Sequence, residues 1–473
     1  MPPHEENVEN EVVLVSNANN LKLFNMTDVP DIDSSENSTG HTSKGVPNND
    51  KEGVKKPDTY NAILMHAITG GLRTYLLAHG ARGGLNFFLQ LTMMLRKSKI
   101  RIGHAFRYGF FGKDALRFGL AFGGFSFLWK LINNGLRHAR GKDDRWNGMV
   151  AGSIAGLSIL AEKRERRISI AQQLFVRAMQ GVYNAGRARD YFHFPHGDSL
   201  LFAVCSAQLL YAYTIQPDTI PPEFLQFMVK TARVPREVLA LNKKYVTTNM
   251  PIDVEEALNI LRKYKGTEYA FKVVSKMGQH PTTIPCALIH SSSDSCMYAD
   301  VERFYKVFKD ILPIYTALNT VSMLVFKTKD FFQNPLDRIQ KSVFNTVRSS
   351  AFLSTFVSGY LTEICFHRNL VNYGLTAWDH KYLYWITGFI TSLSIFLEDK
   401  RRRTDLALYV LPKAAESWYK IMYQRNWIFE LHKNADVYFF SAAMGIVMAF
   451  YQHEPEVLSP IVRTVLRKFA GKN

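Results

Sequence analysis

The chain has 473 residues, which is too long for one compact domain and excludes a single small module. Hydrophobic residues make up 47% of it and aromatic residues 13%, which excludes a mostly disordered protein. The formal net charge of +17 fits a partner such as nucleic acid or anionic lipid, or the retained loops of a membrane protein.

Residues 1–58 form an acidic segment that is rich in Asn, Ser, Asp, Glu and Pro. It holds eleven acidic residues and five lysines, a net charge of −6, which leaves +23 for the rest of the chain. Such a segment buries too little apolar surface to offset the entropy lost on ordering, so a disordered tail is predicted. It resembles neither a secretory signal nor an ordinary mitochondrial presequence, so we expect any organelle address to be internal.

Beyond the tail, uncharged apolar stretches alternate with basic clusters. A helix needs about 20 residues to cross a bilayer, and most of these stretches reach that length only if flanking lysines and arginines extend to the interface. The alternative is a large soluble helical protein with buried core helices. Residues 199–217 argue against it, because they lack the polar stripe of a surface helix. The stretches are 83–95, 118–129, 146–161, 199–217, 311–326, 349–362, 382–397 and 437–453.

An internal duplication organises these stretches. Residues 152–171 align with residues 388–407 at a shift of 236, and residues 198–232 align with residues 436–470 at a shift of 238. The alignment predicts an all-α, multi-pass membrane bundle of two tandem repeats, each with about four spans and both in the same orientation. The predicted domains are the acidic tail (1–58), repeat 1 (59–233), a polar inter-repeat segment (234–303) and repeat 2 (304–473).

Two basic clusters occupy equivalent positions after the third predicted span of each repeat. One interpretation is that they fix the orientation of the spans, since positive residues collect on one side of a membrane. The other is that they bind anionic lipid head groups or metabolites. The clusters consist of Lys163, Arg164, Arg166 and Arg167, and of Lys400, Arg401, Arg402 and Arg403.

Glycines spaced four residues apart occur in two neighbouring apolar stretches of repeat 1. Gly152 in the second of these stretches aligns with Gly388 in repeat 2. In lipid, where apolar burial does not drive helix association, glycines on one face let helix backbones approach closely. We expect these glycines to form packing contacts within the chain, with contacts between two copies as the alternative. They are Gly119, Gly123, Gly148, Gly152, Gly156 and Gly388.

A polar motif precedes the fourth predicted span of repeat 1: Phe194, Pro195, His196, Gly197 and Asp198. The interpretation we favour is that His196 and Asp198 cap the following helix, with the Asp198 carboxylate as N-cap. A role in proton relay or ligand binding is the alternative.

Metal-capable side chains occur at Cys286, His290 and Cys296. Their spacing matches no standard zinc framework, so we predict no metal there. The remaining interpretations are a disulfide between Cys286 and Cys296, or free thiols.

Catalytic signatures are absent from the sequence. Residues 109–113 (GFFGK) lack the spacing of a phosphate-binding loop, and no GxSxG, HExxH or GxGxxG motif in a suitable context occurs. We therefore predict no catalytic residue and no cofactor. Nucleic-acid binding is also disfavoured, because the charges lie beside apolar spans.

The sequence resembles the transmembrane protein 135 family, in a fungal-type form. The resemblance rests on GRARDYFHFPHGDSLLFAVCSAQLLYAY (186–213), TDLALYVLPKAAESWY (404–419) and PCALIHSSSDSC (285–296), where Ser291 replaces the proline usual in that family. It implies a multi-pass protein of peroxisomal and mitochondrial membranes, associated with lipid metabolism and organelle dynamics. It also implies a distant relation to mitochondrial import-channel subunits and small peroxisomal membrane proteins, but neither catalytic residues nor a transported substrate.

The sequence therefore predicts an organelle membrane protein that supports lipid or metabolite transport or organelle maintenance. A scaffold for organelle division is the alternative, and a membrane-bound lipid-modifying enzyme is a third interpretation. The expected partners are the bilayer, its anionic lipids, and a second copy or division proteins.

Overall fold

The structure is a computed structural model that describes residues 57, 59–96, 102–248, 251–281, 283–326, 332–375 and 380–471. Helices are the only regular secondary structure in these residues, so the predicted all-α class is confirmed. The acidic tail predicted at 1–58 lies outside them, apart from Pro57.

The described residues form α-helices and several short 3-10 helices, which lie between successive α-helices. The α-helices are α1 (Tyr60–Arg96), α2 (Ile102–Phe111), α3 (Lys113–Arg140), α4 (Arg145–Gly156), α5 (Arg164–Ala188), α6 (Gly197–Ile215), α7 (Pro222–Ala232), α8 (Arg236–Thr248), α9 (Val254–Lys263), α10 (Glu268–Ser275), α11 (Cys296–Phe326), α12 (Pro335–Asn372), α13 (Lys381–Thr391), α14 (Lys400–Gln424), α15 (Ala435–His453) and α16 (Pro460–Phe469). The 3-10 helices are Leu157–Ala161, Pro217–Thr219, Cys286–Leu288, Ser392–Leu397 and Pro455–Val457.

Two helical stretches in the described part are long and apolar enough to cross a membrane: Ile102–Arg140, with 39 residues, and Gly197–Ile215, with 19 residues. The first contains the predicted stretch 118–129, and the second coincides with 199–217. Two other predicted stretches, 146–161 and 382–397, lie in short α-helices, α4 and α13, each followed by a 3-10 helix. For example, α4 has 12 residues and is therefore about 18 Å long. A larger number of spans stays a prediction.

The chain divides into two compact units. The central unit comprises Phe194–Glu430, and the split unit comprises the described residues up to His193 together with those from Leu431 onward. The central unit thus holds α6 to α14, and the split unit holds α1 to α5 with α15 and α16. The boundaries of these units differ from the domain boundaries expected from the duplication. The expected domains stay a prediction.

In the split unit, α1 packs along α3, and α15 packs against α4 and α5. Trp129, Ile159 and Met448 are fully buried at the centre of its apolar core. The Asp144 carboxylate caps α4 by accepting the Asn147 backbone N–H at 3.2 Å. The helix from the C-terminal part of the chain thus completes a core begun by helices from the N-terminal part.

In the central unit, α6 packs against α13 and α14, and α11 packs along α12. α6 is apolar on nearly all sides and mostly buried, so it contributes to both apolar cores of this unit. Its buried Gln208 side chain donates a hydrogen bond to Ser417 Oγ on α14 at 3.1 Å. Helices α8, α9 and α10 also contribute buried apolar side chains to the larger of these two cores.

Helix bounds recur at the spacing of the sequence duplication. α4 and α13 begin 236 residues apart, and so do α5 and α14, which both have 25 residues. α6 and α15 begin 238 residues apart and both have 19 residues. The compact units pair these elements crosswise, because α6 packs on α13 and α14 whereas α15 packs on α4 and α5.

Candidate metal centre and apolar cavity

Three cysteines and one histidine meet in the central unit. Cys286 opens a 3-10 turn, His290 follows that turn, Cys296 begins α11, and Cys365 lies on α12. The three sulfur atoms and a ring nitrogen of the histidine all lie within 4.8 Å of one another. We refer to these four residues as the Cys3His cluster.

The ring of His290 is held in one orientation by the backbone. Its Nδ1 lies 2.9 Å from the carbonyl oxygen of Ser293, and its Nε2 lies 3.2 Å from Cys296 Sγ. Because a carbonyl oxygen only accepts hydrogen bonds, Nδ1 carries the proton in the neutral ring. The lone pair of Nε2 therefore points at the sulfur atoms.

Hydrogen bonds within the cluster shift the pKa values of the Cys286 and Cys296 thiols in opposite directions. Bonds from Cys286 and then Cys365 lower the pKa of the Cys296 thiol well below its ordinary value. The bond to Cys296 raises the pKa of Cys286 to about 11, and the nearby guanidinium of Arg368 opposes that rise. Cys296 is therefore the more acidic of these two thiols.

Charged side chains lie beside the cluster in the interior of the unit. Arg368 is 2% exposed and donates a hydrogen bond to Asn242 Oδ1 at 2.6 Å. Arg303 pairs with Asp300 at 2.7 Å, and both side chains are mostly buried. Burial raises the pKa of Asp300, and the Arg303 guanidinium opposes this effect. Arg368 thus adds a positive charge beside the thiols, whereas Asp300 and Arg303 largely neutralise each other.

The sequence prediction of no metal did not include Cys365, which lies 69 residues after Cys296. Cys286, His290 and Cys296 alone form no standard framework, and only the packing of α11 on α12 adds a fourth ligand. All three cysteines are free thiols here, without a disulfide between Cys286 and Cys296. The signal in the sequence that could have suggested the cluster is Cys365, which closely follows the apolar stretch 349–362.

An apolar cavity of about 160 Å³ lies in the same unit, bordered by α6, α7, α11, α12 and α14. Aromatic side chains supply much of its wall, including Phe202, Phe224, Phe352 and Phe356. The Tyr360 ring also faces it, while the Tyr360 hydroxyl bonds elsewhere. The cavity therefore offers apolar surface with few groups that a polar solute could bind.

Arg402 brings a positive charge to the wall of this cavity. It lies on the face of α14 that also carries Leu406, Tyr409 and Val410, at the spacing of successive helical turns. Its Nη1 donates a hydrogen bond to Ser349 Oγ at 2.8 Å. One wall of the cavity thus combines apolar side chains with the guanidinium group of Arg402 and the carboxylate of Asp405.

In the first basic cluster, two arginines form ion pairs within the split unit. Arg166 pairs with Glu162 at 3.1 Å and also with Asp114. Arg167 pairs with Asp436, and both side chains are nearly buried. These two arginines therefore hold α5 against its neighbours.

In the second basic cluster, which lies in the central unit, two arginines likewise make internal contacts. Arg402 binds Ser349, and Arg403 donates to the backbone carbonyl oxygens of Glu398 at 3.1 Å and Phe396 at 3.0 Å. The other members of both clusters have exposed side chains that lipid head groups could reach. These exposed members are Lys163, Arg164, Lys400 and Arg401.

The glycines of α4 lie where this helix crosses α15. A Cβ atom at Gly152 would lie 2.7 Å from the Met444 carbonyl oxygen, and one at Gly156 would lie 2.7 Å from Ser441 Cα. Gly148 faces the same helix. At Gly152 and Gly156, backbone atoms of α15 thus occupy the space that a side chain would need.

The other glycines also lie at close helix crossings. Gly119 and Gly123 on α3 face Tyr75 on α1, and a Cβ at Gly123 would lie 2.7 Å from Tyr75 Cβ. Gly388 on α13 faces α6, where its Cβ would lie 3.0 Å from Ala207 Cα. Each of these crossings is internal to one compact unit.

The Phe-Pro-His-Gly-Asp motif (194–198) forms the turn that opens α6. The N-cap residue is His196, in the left-handed region with φ 58°, and its side chain makes no capping hydrogen bond. Asp198, expected as N-cap, lies instead in the first turn, where it accepts the Ser199 N–H at 2.8 Å and the Thr404 hydroxyl at 3.3 Å. The N-cap is thus His196 instead of Asp198, and the helix begins at Gly197, two residues earlier than expected.

Two family models match the chain. Residues 58–180 match the Tim17/Tim22/Tim23/Pmp24 family, and residues 285–423 match the N-terminal cysteine-rich region of Transmembrane protein 135. The second match begins one residue before Cys286 and covers the whole Cys3His cluster together with nearly all of α14. No solved structure matches the chain.

Proposed function

We propose that this chain, which belongs to the transmembrane protein 135 family, holds or moves lipid molecules in a mitochondrial or peroxisomal membrane. Both matched families are families of organelle membrane proteins, which supports that location. The observation that carries the proposal is the apolar cavity of the central unit.

The cavity has the size and chemistry of a site for part of an acyl chain. An apolar cavity of about 150 Å³ stays dry and accepts a molecule as large as benzene, so a cavity of about 160 Å³ accepts a chain segment of similar volume. Burial contributes about 0.8 kcal/mol per methylene, so six methylenes would contribute roughly 5 kcal/mol. Its aromatic and aliphatic lining offers the contacts that such a segment needs.

The charges at the start of α14 suit an anionic head group on the same molecule. Arg402 lies at the cavity wall, and the exposed Lys400 and Arg401 precede it on the same helix. A guanidinium group pairs with carboxylate and phosphate oxygens in bidentate geometry. We therefore favour an amphipathic ligand, with its chain in the cavity and its head group beside these residues.

A multi-pass arrangement is part of the proposal. α4 together with the 3-10 helix Leu157–Ala161 spans about 28 Å, and α13 with Ser392–Leu397 spans a similar length. This is close to the hydrocarbon thickness of about 30 Å. We propose that these segments are the third spans of two tandem repeats, and that the repeats exchange their fourth spans, α6 and α15.

Lipid retention tests the proposal. Native mass spectrometry of the full-length protein, released from membranes in mild detergent, should detect a bound lipid. Val357→Phe fills the cavity wall, whereas Val347→Phe makes the same change at an exposed position on α12. We expect the first variant to weaken binding about tenfold, the effect of losing roughly two methylenes from the cavity, and the control to bind normally.

Equal lipid retention by the two variants would refute the cavity as the binding site. The location is tested separately with a tagged copy of the full chain. It should coincide with mitochondria or peroxisomes and resist extraction by carbonate at high pH, and release into the soluble fraction would contradict a membrane-spanning protein.

A further inference from the structure

We propose that Cys286, His290, Cys296 and Cys365 bind one structural zinc ion in the central unit. Cysteine thiolate and histidine nitrogen are the ligands that zinc prefers, and four of them in one place complete a tetrahedral site. With zinc–sulfur bonds of about 2.3 Å, the ligand atoms of such a tetrahedron lie roughly 3.8 Å apart. The four atoms, now within 4.8 Å, need to move by only about 1 Å.

The hydrogen bond of His290 supports the assignment independently of these distances. A histidine that binds a metal through one ring nitrogen usually donates its other ring N–H to a carbonyl or carboxylate group. The Nδ1–H of His290 is bound to the Ser293 carbonyl, and Nε2 faces the sulfur atoms. The ring is thus already in the tautomer and orientation that a zinc ligand requires.

The burial of the cluster indicates a structural site. His290 is 8% exposed and Cys365 is 2% exposed. A catalytic zinc ion keeps one position open for water, whereas here four protein ligands fill the coordination shell. The four atoms are also too close together for an iron–sulfur cluster, whose ligands bind different iron atoms.

The charge of the surroundings fits the complex. Three thiolates, one neutral imidazole and Zn²⁺ have a net charge of −1. Arg368 is buried beside the cluster and acts electrostatically on Cys286, so it supplies a compensating positive charge. The neighbouring Asp300–Arg303 pair adds little net charge.

Bound zinc would fasten the polar segment between the repeats to the membrane helices. Three ligands lie at or just before the start of α11, and the fourth lies on α12, so the ion closes a large loop of chain. Leu288 and Ile289, between the first two ligands, belong to the larger apolar core of the unit. The site would therefore stabilise the packing of α9 and α10 on that core.

Metal analysis of the full-length protein, purified without chelators, tests this assignment. Plasma mass spectrometry should find about one zinc ion per chain. Cys365→Ser should lose most of it, while Cys205→Ser, a matched change at a buried cysteine of the same unit outside the cluster, should retain it.

A second variant and a spectrum keep the test decisive if Cys365→Ser fails to fold. His290→Cys should still bind zinc, now through four sulfur atoms. Cobalt in the wild-type protein should give the absorption of a tetrahedral thiolate complex, which changes in His290→Cys. Wild-type protein with no zinc, with iron and visible iron–sulfur absorption, or with a Cys286–Cys296 disulfide would overturn the proposal.

Discussion

Replacing Gly152 by alanine should destabilise the split unit, although alanine is the better helix former. An alanine Cβ would lie 2.7 Å from the Met444 carbonyl oxygen and 2.9 Å from Met448 Cβ. Ordinary contact begins near 3.4 Å, so α4 and α15 must separate by roughly 0.7 Å. Such overpacking costs about 1–3 kcal/mol, against a helix-propensity gain of about 0.5–1 kcal/mol.

The net expectation is a loss of roughly 0.5–2 kcal/mol, or a few degrees in Tm for a unit of about 200 residues. Gly135→Ala on α3 is the matched control, because a Cβ there meets no atom within 4 Å. It should leave Tm unchanged or raise it. Thermal unfolding in one detergent compares the variants, and equal increases for both would refute the argument that α4 and α15 are in backbone contact at Gly152.

Two further predictions concern charged pairs. Removing one partner of the nearly buried Arg167–Asp436 pair, as Arg167→Gln or Asp436→Asn, should cost about 3–5 kcal/mol because the other charge is left uncompensated. The double variant should lose less than the sum of the two, measured by unfolding, and strict additivity would contradict a direct contact. The hydrogen bond from Lys263 holds the pKa of Glu237 below its usual range. Its contribution is therefore present above the ordinary glutamate pKa and lost as the pH falls through the lowered value. Unfolding of Glu237→Gln should depend less on pH than that of the wild type across this acid range, and identical profiles would show that the pair contributes nothing.

Local sequence patterns accounted for much of the fold. The apolar stretches and their duplication predicted the all-α class, which is confirmed for the described residues. The resemblance to the transmembrane protein 135 family and its relation to import-channel proteins is also confirmed by the two family matches. Both predictions rested on patterns within short segments, such as the apolar stretches and residues 285–296, whose residues are close together in the chain.

What the sequence could not supply were contacts between distant segments. Cys365 joins the Cys3His cluster only because α12 packs on α11, and spacing along the chain does not encode that contact. Similarly, α15 packs on α4 and α5 rather than on the segments that immediately precede it. At Asp198 the error was local, because the N-cap of α6 is His196, in the left-handed region, and the helix starts two positions earlier than expected.

The lipid function that we propose requires an acyl chain to occupy the cavity of the central unit. The most direct measurement is photo-crosslinking of a photoactivatable lipid to the full-length protein in its own membranes, with the labelled peptides mapped by mass spectrometry. We expect labelling of cavity-lining residues such as Phe356 and Tyr409, with strong loss in Val357→Phe. Labelling confined to exposed positions such as Val347, and unchanged in that variant, would contradict it.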